Sequence, residues 1–342
     1  MERIARSSLG LVCLLMACAA PALAQVVSPV QSGHYAAANI NIRDYSQPPS
    51  GLFVLWYNTF VNSDKYIDRN GNQLKSFRLS QINPVLPNVQ VNLDLNAYAG
   101  IPALYWASPF KILSGARYMA GVIPSYVNAD ASILTERGSV VVDTTITRTA
   151  GGTVSGFGDL FVAPVGLSWG FEKFDVTAMY GFYAPTGKYD KGASDNVGLG
   201  FWTHQFQAFG YYYPLPEKAT AVMLGLTTEI NGDVKDSKVN PGSRLSLDWG
   251  IDQYLTPQLD VGIQGGHNWQ VGDDSGSDVY WDPKFHDRKN TLVFSVGYWP
   301  VPDWLWISGR YGFDYGSRQR FENQIWSLNL IFMTHALKGS GA

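Results

Sequence analysis

Apolar and polar residues alternate along most of this chain. In residues 174–184, Phe174 and Val176 would fall on one face of a strand, and Asp175 and Thr177 on the other. A side-chain period of two is typical of a β-strand, and about ten residues suffice to cross a membrane at a tilt. The pattern therefore predicts β-strands long enough to span a membrane.

The most regular alternation lies in residues 89–101. The odd positions there are valine, leucine, alanine or isoleucine, and the even positions are polar, tyrosine or glycine. A first strand is predicted at residues 51–62, and residues 102–111 are predicted to form a short connection. Further alternating strands are predicted at residues 245–252, 259–264, 292–298, 305–314 and 326–332.

A long strand pair is predicted over residues 112–135 and 138–169. Asp159 breaks the alternation of the second member, and Pro164 cannot donate a backbone hydrogen bond to a neighbouring strand. We therefore expect a bulge or a bend at this point.

Short turns and long polar loops alternate between the predicted strands. The short turns lie near residues 170–173, 214–217, 255–257 and 300–303, and the long loops at residues 188–197, 231–242, 273–288 and 316–321. Aromatic residues flank the short turns and predict a girdle of Trp169, Phe174, Tyr213, Tyr254, Tyr298, Trp299 and Trp304.

This arrangement is typical of outer-membrane barrels. We predict an all-β fold, a transmembrane antiparallel up-and-down β-barrel of about 12 strands over residues 51–335. Both ends of the barrel would then lie on the short-turn, periplasmic side. A β-propeller is the best soluble alternative, but its blades need four short strands where this chain offers two long ones. A β-sandwich would have to bury too many apolar strand faces in one core.

The composition narrows the class of protein further. Charged residues make up 15% of the chain and the net charge is −3, so no basic excess indicates nucleic-acid binding. No stretch after the N-terminal segment holds about 18 consecutive apolar residues, which a spanning helix would need.

The N-terminus has the features of a cleaved signal peptide, residues 1–24. A basic start precedes an apolar core at residues 8–20, and a small-residue site ends at Ala24, after which cleavage is predicted. A lipoprotein signal ending at Cys18 is a weaker alternative. Because Cys13 and Cys18 both lie in this segment, the exported chain would have no cysteine for disulfides, catalysis or metal binding.

Two segments flank the predicted barrel. Residues 25–50 are rich in proline and glycine and lack periodicity, which predicts an irregular segment in the periplasm or in the barrel lumen. Residues 336–342 are predicted to form a tail.

No catalytic or metal-binding motif is present in the sequence. The five histidines are not at metal-ligand spacing, and His204 and His267 fall near the loop ends of strands. The acidic loop at residues 273–278 is expected to be a solvated tip, with cation or lipopolysaccharide contact as the alternative. We therefore predict no enzyme activity, no cofactor and no metal.

Polar residues on the strands are the more informative set. If the polar face of each strand points inward, they would line the lumen, where charges must be paired or hydrated. These candidates are Asn92, Asp94, Asn96, Arg117, Asp248, Asp252, Asp260, Gln264, Arg310 and Asp314.

Several short phrases resemble a known family. They are Gly156–Leu160 followed by Pro164, Tyr183–Asp190, the Trp202 strand start, His34-Tyr35, Pro48–Gly51 and Asp68–Gly71. In this order they resemble the outer-membrane proteins associated with the meta-pathway of phenol degradation. The resemblance implies a barrel with a role in the uptake of hydrophobic or aromatic compounds.

The leading hypothesis is a passive outer-membrane channel for small hydrophobic or aromatic compounds. Its expected partners are outer-membrane lipid with lipopolysaccharide, the barrel assembly machinery and a small hydrophobic solute, but no nucleic acid. The alternatives are an outer-membrane enzyme that modifies lipid, and a structural or adhesion barrel that acts through its long loops.

Overall fold

The structure is a computed structural model that describes residues 33–74, 76–78, 88–138, 145–191, 193 and 195–334. Within the strands, it does not describe the side chains of residues 76–78, 88–93, 132–138 and 145–151. The predicted signal peptide, its cleavage after Ala24 and the predicted tail lie outside the described residues.

The described chain is almost entirely β-strand. The strands are β1 (Gly51–Ile67), β2 (Ser76–Arg78), β3 (Asn88–Ile112), β4 (Ala116–Ile123), β5 (Tyr126–Gly138), β6 (Thr145–Phe157), β7 (Leu160–Gly170), β8 (Phe174–Ala184), β9 (Thr203–Tyr212), β10 (Thr220–Asn231), β11 (Arg244–Tyr254), β12 (Leu259–Gln270), β13 (Arg288–Val301), β14 (Leu305–Arg318) and β15 (Arg320–Met333). The described residues also form one 3₁₀ turn, Pro216–Lys218, and include no helix long and apolar enough to cross a membrane.

The sheet closes on itself into an antiparallel barrel. Neighbouring strands pair in the order β1, β15 down to β7, β4 and β3, and β1 also pairs with β3. The wall therefore has 12 strands, which confirms the predicted fold class. Two further strands lie outside the wall: β5 pairs with the first half of β3, and β6 pairs with β5. They extend the sheet at one end.

The two ends of the barrel differ, as predicted. Short turns join β7 to β8, β9 to β10, β11 to β12 and β13 to β14 at the short-turn end, where β1 begins and β15 ends. The loops between β8 and β9, β10 and β11, and β12 and β13 form the long-loop end.

Three predicted boundaries can be compared with the strands. The predicted connection at residues 102–111 is wrong, because β3 runs through it and pairs with β1 from Leu95 to Ala107. The predicted loop at residues 316–321 is a tight hairpin with a positive φ at Gln319. The predicted bend is confirmed by the gap between β6 and β7 and by a register shift on either side of Pro164.

The outer surface carries an apolar band. Its large side chains, all at least one-third exposed, include Trp56, Phe60, Leu104, Val176, Phe206, Leu224, Phe294, Trp326 and Leu328. An outward apolar band is the surface that a transmembrane barrel presents to lipid.

The predicted aromatic girdle is divided between the two faces of the wall. Phe174 and Tyr298 are about half exposed on the outer surface. Trp169 shares the outward register of β7, and Trp304 packs edge-on against the outward Phe332. These four side chains lie at the short-turn end.

The other three predicted girdle residues face inward, so their assignment to the girdle is wrong. Tyr213 is only 2% exposed and donates a hydrogen bond to Asp175. Trp299 donates to the Tyr254 hydroxyl inside the rim. The physical reason is the period of two, because neighbouring aromatic residues on one strand must face opposite sides.

Candidate functional site

The interior of the barrel has a polar side and an apolar side. Strands β10 to β14 point mainly polar and charged side chains inward, whereas the inward side chains of β1, β3, β4 and β7 are largely apolar. The apolar set comprises Phe53, Leu55, Ala103, Ala107, Met119, Phe161 and Ala163. The lumen is therefore amphipathic across its width.

Six of the predicted lumen residues lie on the polar side, all buried and facing inward. They are Asp248, Asp252, Asp260, Gln264, Arg310 and Asp314. Most are satisfied by hydrogen bonds. Trp306 donates to Asp260, Thr291 donates to Asp314, and Arg310 donates to Gln264. They form a paired polar wall, as buried charges require.

The remaining candidates lie elsewhere. Asp94 and Asn96 share the exposed outer face of β3 with Tyr98, whose ring packs on the outward Phe60, so the predicted inward orientation is wrong for both. The opposite face of this strand is apolar and lines the apolar side of the lumen. The side chain of Asn92 lies outside the described set. Arg117 pairs in register with Ser168 and donates to the backbone carbonyl of Ser108.

Residues 33–50, here called the lumen segment, lie inside the barrel against its polar side. The backbone N–H of Ala38 donates to Asp248 at 2.6 Å, and Arg310 donates to the carbonyls of Ala38 and Asn39 at 2.7 and 2.8 Å. Nearer the short-turn end, Arg43 forms an ion pair with Asp252. The segment was predicted to lie in the periplasm or in the lumen, and its described part lies in the lumen.

The lumen segment is held by packing as well as by polar contacts. Ile42 packs in a buried cluster with Phe209 and Met223, and the Tyr45 ring stacks on Phe209 with a centroid distance of 4.0 Å. Gln47 donates from its backbone to Asp175 at 3.1 Å, close to the short-turn end. The segment thus runs along the length of the barrel.

A compact hydrogen-bonded cluster at the long-loop end fixes the start of the segment. His34 Nε2 lies 3.0 Å from Asp159 Oδ2, and its Nδ1 lies 2.9 Å from the Thr203 hydroxyl. The same carboxylate accepts the backbone N–H groups of Gly187 and Leu199 at 2.9 and 2.8 Å. Three of the phrases that carry the family resemblance therefore meet at one point.

The hydrogen-bond partners define the roles of the two His34 nitrogens. The Thr203 hydroxyl donates to Asn231 Oδ1 at 2.7 Å, while Asn231 Nδ2 donates to the carbonyl of Gly242. The Thr203 oxygen is therefore an acceptor toward His34, and Asp159 is an acceptor too. Both ring nitrogens of His34 therefore face hydrogen-bond acceptors.

Three loops pack together above this cluster. Phe201, Val234, Val239 and Trp281 form a buried apolar group, and Phe201 meets the His34 ring edge-on at 5.3 Å. The predicted acidic loop takes part in this packing, because Asp274 accepts from the Trp281 indole at 2.8 Å. A hydrogen bond from the Lys238 backbone lowers the pKa of Asp278.

A cavity of about 350 Å³ lies between the lumen segment and the apolar side of the wall. Its apolar lining includes Leu55, Tyr57, Tyr105, Met119, Phe161 and Met179. Pockets for small molecules are typically about 300–1,000 Å³ and mostly apolar, with a few polar groups. The cavity has the size and lining of a site for one small hydrophobic molecule.

Polar groups of the lumen segment and of the wall also line the cavity, among them Asp44, Asp252 and Ser308. Gln205 on β9 lines it and is 2% exposed, and Asp44 of the lumen segment accepts from the Tyr57 hydroxyl at 2.7 Å. Neither residue was predicted as part of a site. Gln205 lies in an alternating strand, but alternation alone does not indicate which polar side chains remain unpaired.

The described residues offer no arrangement typical of a hydrolase or a metal site. His204 Nδ1 bonds the Tyr180 hydroxyl, and His267 contacts the Trp249 indole and Asn290, so neither histidine meets a serine and a carboxylate there. Among the same residues, no group of three His, Cys, Asp or Glu side chains could hold a metal.

Comparison with solved structures identifies a protein with a similar fold. An outer membrane channel from Pseudomonas putida F1 is 14% identical with a TM-score of 0.62, covering 86% of this chain and 99% of that one. A FadL homologue from Pseudomonas aeruginosa is 10% identical with a TM-score of 0.40, covering 83% and 91%. A mutant of TodX, a monoaromatic hydrocarbon channel, is 11% identical with a TM-score of 0.43, covering 90% and 96%. The first likeness supports the fold, and the other two scores are too low to support an inference.

Sequence comparison identifies the family. No curated protein matches the chain in sequence. Residues 76–330 match the profile of the family described as "Putative MetA-pathway of phenol degradation". This match spans most of the chain and confirms the resemblance found in its short phrases: the chain belongs to this family.

Proposed function

We propose that the protein is an outer-membrane channel for the passive uptake of small hydrophobic or aromatic compounds. The observation that carries the proposal is the largely apolar cavity between the lumen segment and the apolar side of the wall. A solute that leaves water for this cavity gains from the burial of its apolar surface. The family description and the fold shared with the Pseudomonas putida F1 channel support the same reading.

The lumen segment would act as a plug in this mechanism. It occupies the polar side of the lumen and leaves the apolar side free, while the packed loops cover the long-loop end. A water-filled path for ions would thereby be restricted, and an apolar molecule would be favoured over a hydrophilic one. The protein would act by binding and release, without a catalytic step.

The outer surface supports the proposed location. The apolar band would contact outer-membrane lipid, and the long loops would face lipopolysaccharide outside the cell. Such a barrel would be inserted by the barrel assembly machinery. The alternatives of a lipid-modifying enzyme and an adhesion barrel gain no comparable support from the described residues.

Filling the cavity tests the function. Ala107 lies on its wall and is 1% exposed, so Ala107→Phe should obstruct it. Leu104→Phe on the outer face of the same strand is the matched control. Uptake of a labelled monoaromatic compound by cells that depend on this protein should fall with the first variant only. Equal uptake by both variants and the wild type would contradict the proposal.

A further inference from the structure

We propose that the cavity selects neutral hydroxyl-bearing apolar molecules over hydrocarbons of the same shape, and that Gln205 is the residue that distinguishes them. This inference rests on the proposed function, because it concerns the same cavity. It assigns a recognition role to one polar group of a largely apolar site.

The first observation is an unpaired amide oxygen. Gln205 lines the cavity at 2% exposure, and its buried side-chain Oε1 has no hydrogen-bond partner in the described part of the chain. Gln207, two residues further on the same face of β9, is fully engaged: it accepts from the Tyr45 hydroxyl at 3.0 Å and donates to Thr227 at 3.3 Å. Because a buried amide oxygen without a partner is unfavourable, a ligand that pairs with Gln205 would be stabilised.

The second observation is the pair of phenol groups around the same cavity. Tyr105 and Tyr183 line it, and their hydroxyls make no hydrogen bond with the described residues. The Tyr183 ring is fixed by stacking on His34 at 4.3 Å and by contact with Phe161 at 4.7 Å. In the sheet, Tyr183 pairs with Thr203, and Gly181 pairs with Gln205. The amide and the Tyr183 ring therefore lie close together on adjoining strands.

Aromatic and apolar side chains lie beside the amide. Gly181 carries no side chain opposite Gln205, and the Phe161 ring occupies the space where a Cβ at Gly181 would lie. Met179 precedes Gly181 on the inward face of β8. Phe161, Met179 and Tyr183 thus form an apolar corner with Gln205 at its edge, and aromatic side chains favour contact with another ring.

The charges around the cavity favour a neutral ligand. The Asp44 carboxylate already accepts from the Asn41 backbone and from the Tyr57 hydroxyl. Arg43 is occupied by Asp252 and by the carbonyls of Lys218 and Ala219. Among the described residues that line the cavity, Arg43 is the one arginine or lysine, and His34 is engaged with Asp159 and Thr203. The amide and the hydroxyls can both donate to and accept from a hydroxyl group.

The test compares matched ligands on the full chain in lipid nanodiscs. Calorimetry with p-cresol, p-xylene and benzoate, corrected with empty nanodiscs, should show p-cresol binding about tenfold more tightly than p-xylene, the effect of one hydrogen bond. Benzoate should bind weakly. If p-xylene binds as tightly as p-cresol, this inference fails while the proposed function stands. If neither ligand binds, the proposed function fails as well.

Three variants identify the group responsible. Gln205→Leu should reduce p-cresol affinity about tenfold and leave p-xylene affinity unchanged. Tyr183→Phe provides a second variant with a smaller change in shape, and Tyr180→Phe on the outer face of the same strand is the control. Tyr183→Phe should narrow the preference for p-cresol, whereas Tyr180→Phe should not. A loss of affinity for both ligands in Gln205→Leu and Tyr183→Phe would overturn the assignment of Gln205.

Discussion

His34 and Asp159 lie 3.0 Å apart, Nε2 to Oδ2, although 125 residues separate them in sequence. The pair joins the start of the lumen segment to the bend between β6 and β7. Because Asp159 also accepts backbone N–H groups from the loop that follows β8, one carboxylate links the plug, the wall and a covering loop. The cluster is therefore the natural point at which to release the lumen segment.

Removing this link should open the lumen to ions. In His34→Ala the hydrogen bonds to Asp159 and Thr203 are lost, and we expect a larger single-channel conductance in planar bilayers than in the wild type. His286→Ala is the control, because His286 bonds the exposed Asp273 in a loop. An unchanged conductance in His34→Ala would show that this cluster does not hold the segment in place.

The contacts of Arg310 should hold the middle of the lumen segment. Arg310→Met leaves the carbonyls of Ala38 and Asn39 without their donor, and a hydrogen bond to a charged group contributes about 1.5–3 kcal/mol to stability. We expect faster proteolysis within residues 33–50. Arg318→Met, at an exposed position on the same strand, should leave the cleavage rate unchanged.

Tyr212 and Tyr213 test which aromatic residues face the lumen. Tyr213→Phe removes the donor to Asp175, which lies 2.7 Å away, and should lower the free energy of unfolding by about 1.5–3 kcal/mol. Tyr212→Phe on the outer surface should change it by less than about 0.5 kcal/mol. Urea unfolding in lipid vesicles measures both. Equal effects would contradict the inward position of Tyr213.

Asp287 at the long-loop end predicts a dependence of stability on pH. Burial raises the pKa of Asp287, but Arg244 and Arg320 oppose this and bring the pKa below its usual value. A carboxyl with a lowered pKa stabilises the fold above its unfolded-state pKa, and this stabilisation is lost as the pH falls through the folded-state pKa.

The corresponding variant is Asp287→Asn. At pH 7 it should lower the free energy of unfolding by about 3–5 kcal/mol, because it leaves two arginines without their partner. The difference in the free energy of unfolding between the variant and the wild type should decrease as the pH falls below about 4. Asp282→Asn, at an exposed position in the same loop, should show no such trend. A deficit independent of pH would argue against the ionic role of Asp287.

The barrel could be predicted from the sequence because its signals are local. The period of two, the short turns and the long loops define strands, their number and the two ends. A connection was predicted at residues 102–111, but pairing with β1 along much of its length keeps β3 continuous there. Whether residues 102–111 form a strand therefore depends on a partner strand that is distant in sequence.

The inner surface was less predictable for a physical reason. Alternation separates the two faces of β3 but does not identify the face that contacts lipid, and Asp94 lies on the outer face because the lumen is apolar on that side. The lumen segment has no periodicity, since it is held by contacts such as Ala38 with Asp248. Its position follows from the barrel that surrounds it.

The most direct test of the apolar cavity is a crystal structure of the protein soaked with 4-bromophenol. Anomalous diffraction from bromine locates the ligand without reference to its shape. We expect a bromine peak inside the barrel, between the lumen segment and the corner formed by Phe161, Met179 and Tyr183. Bromine sites confined to the outer lipid-facing surface, with none in the cavity, would contradict it.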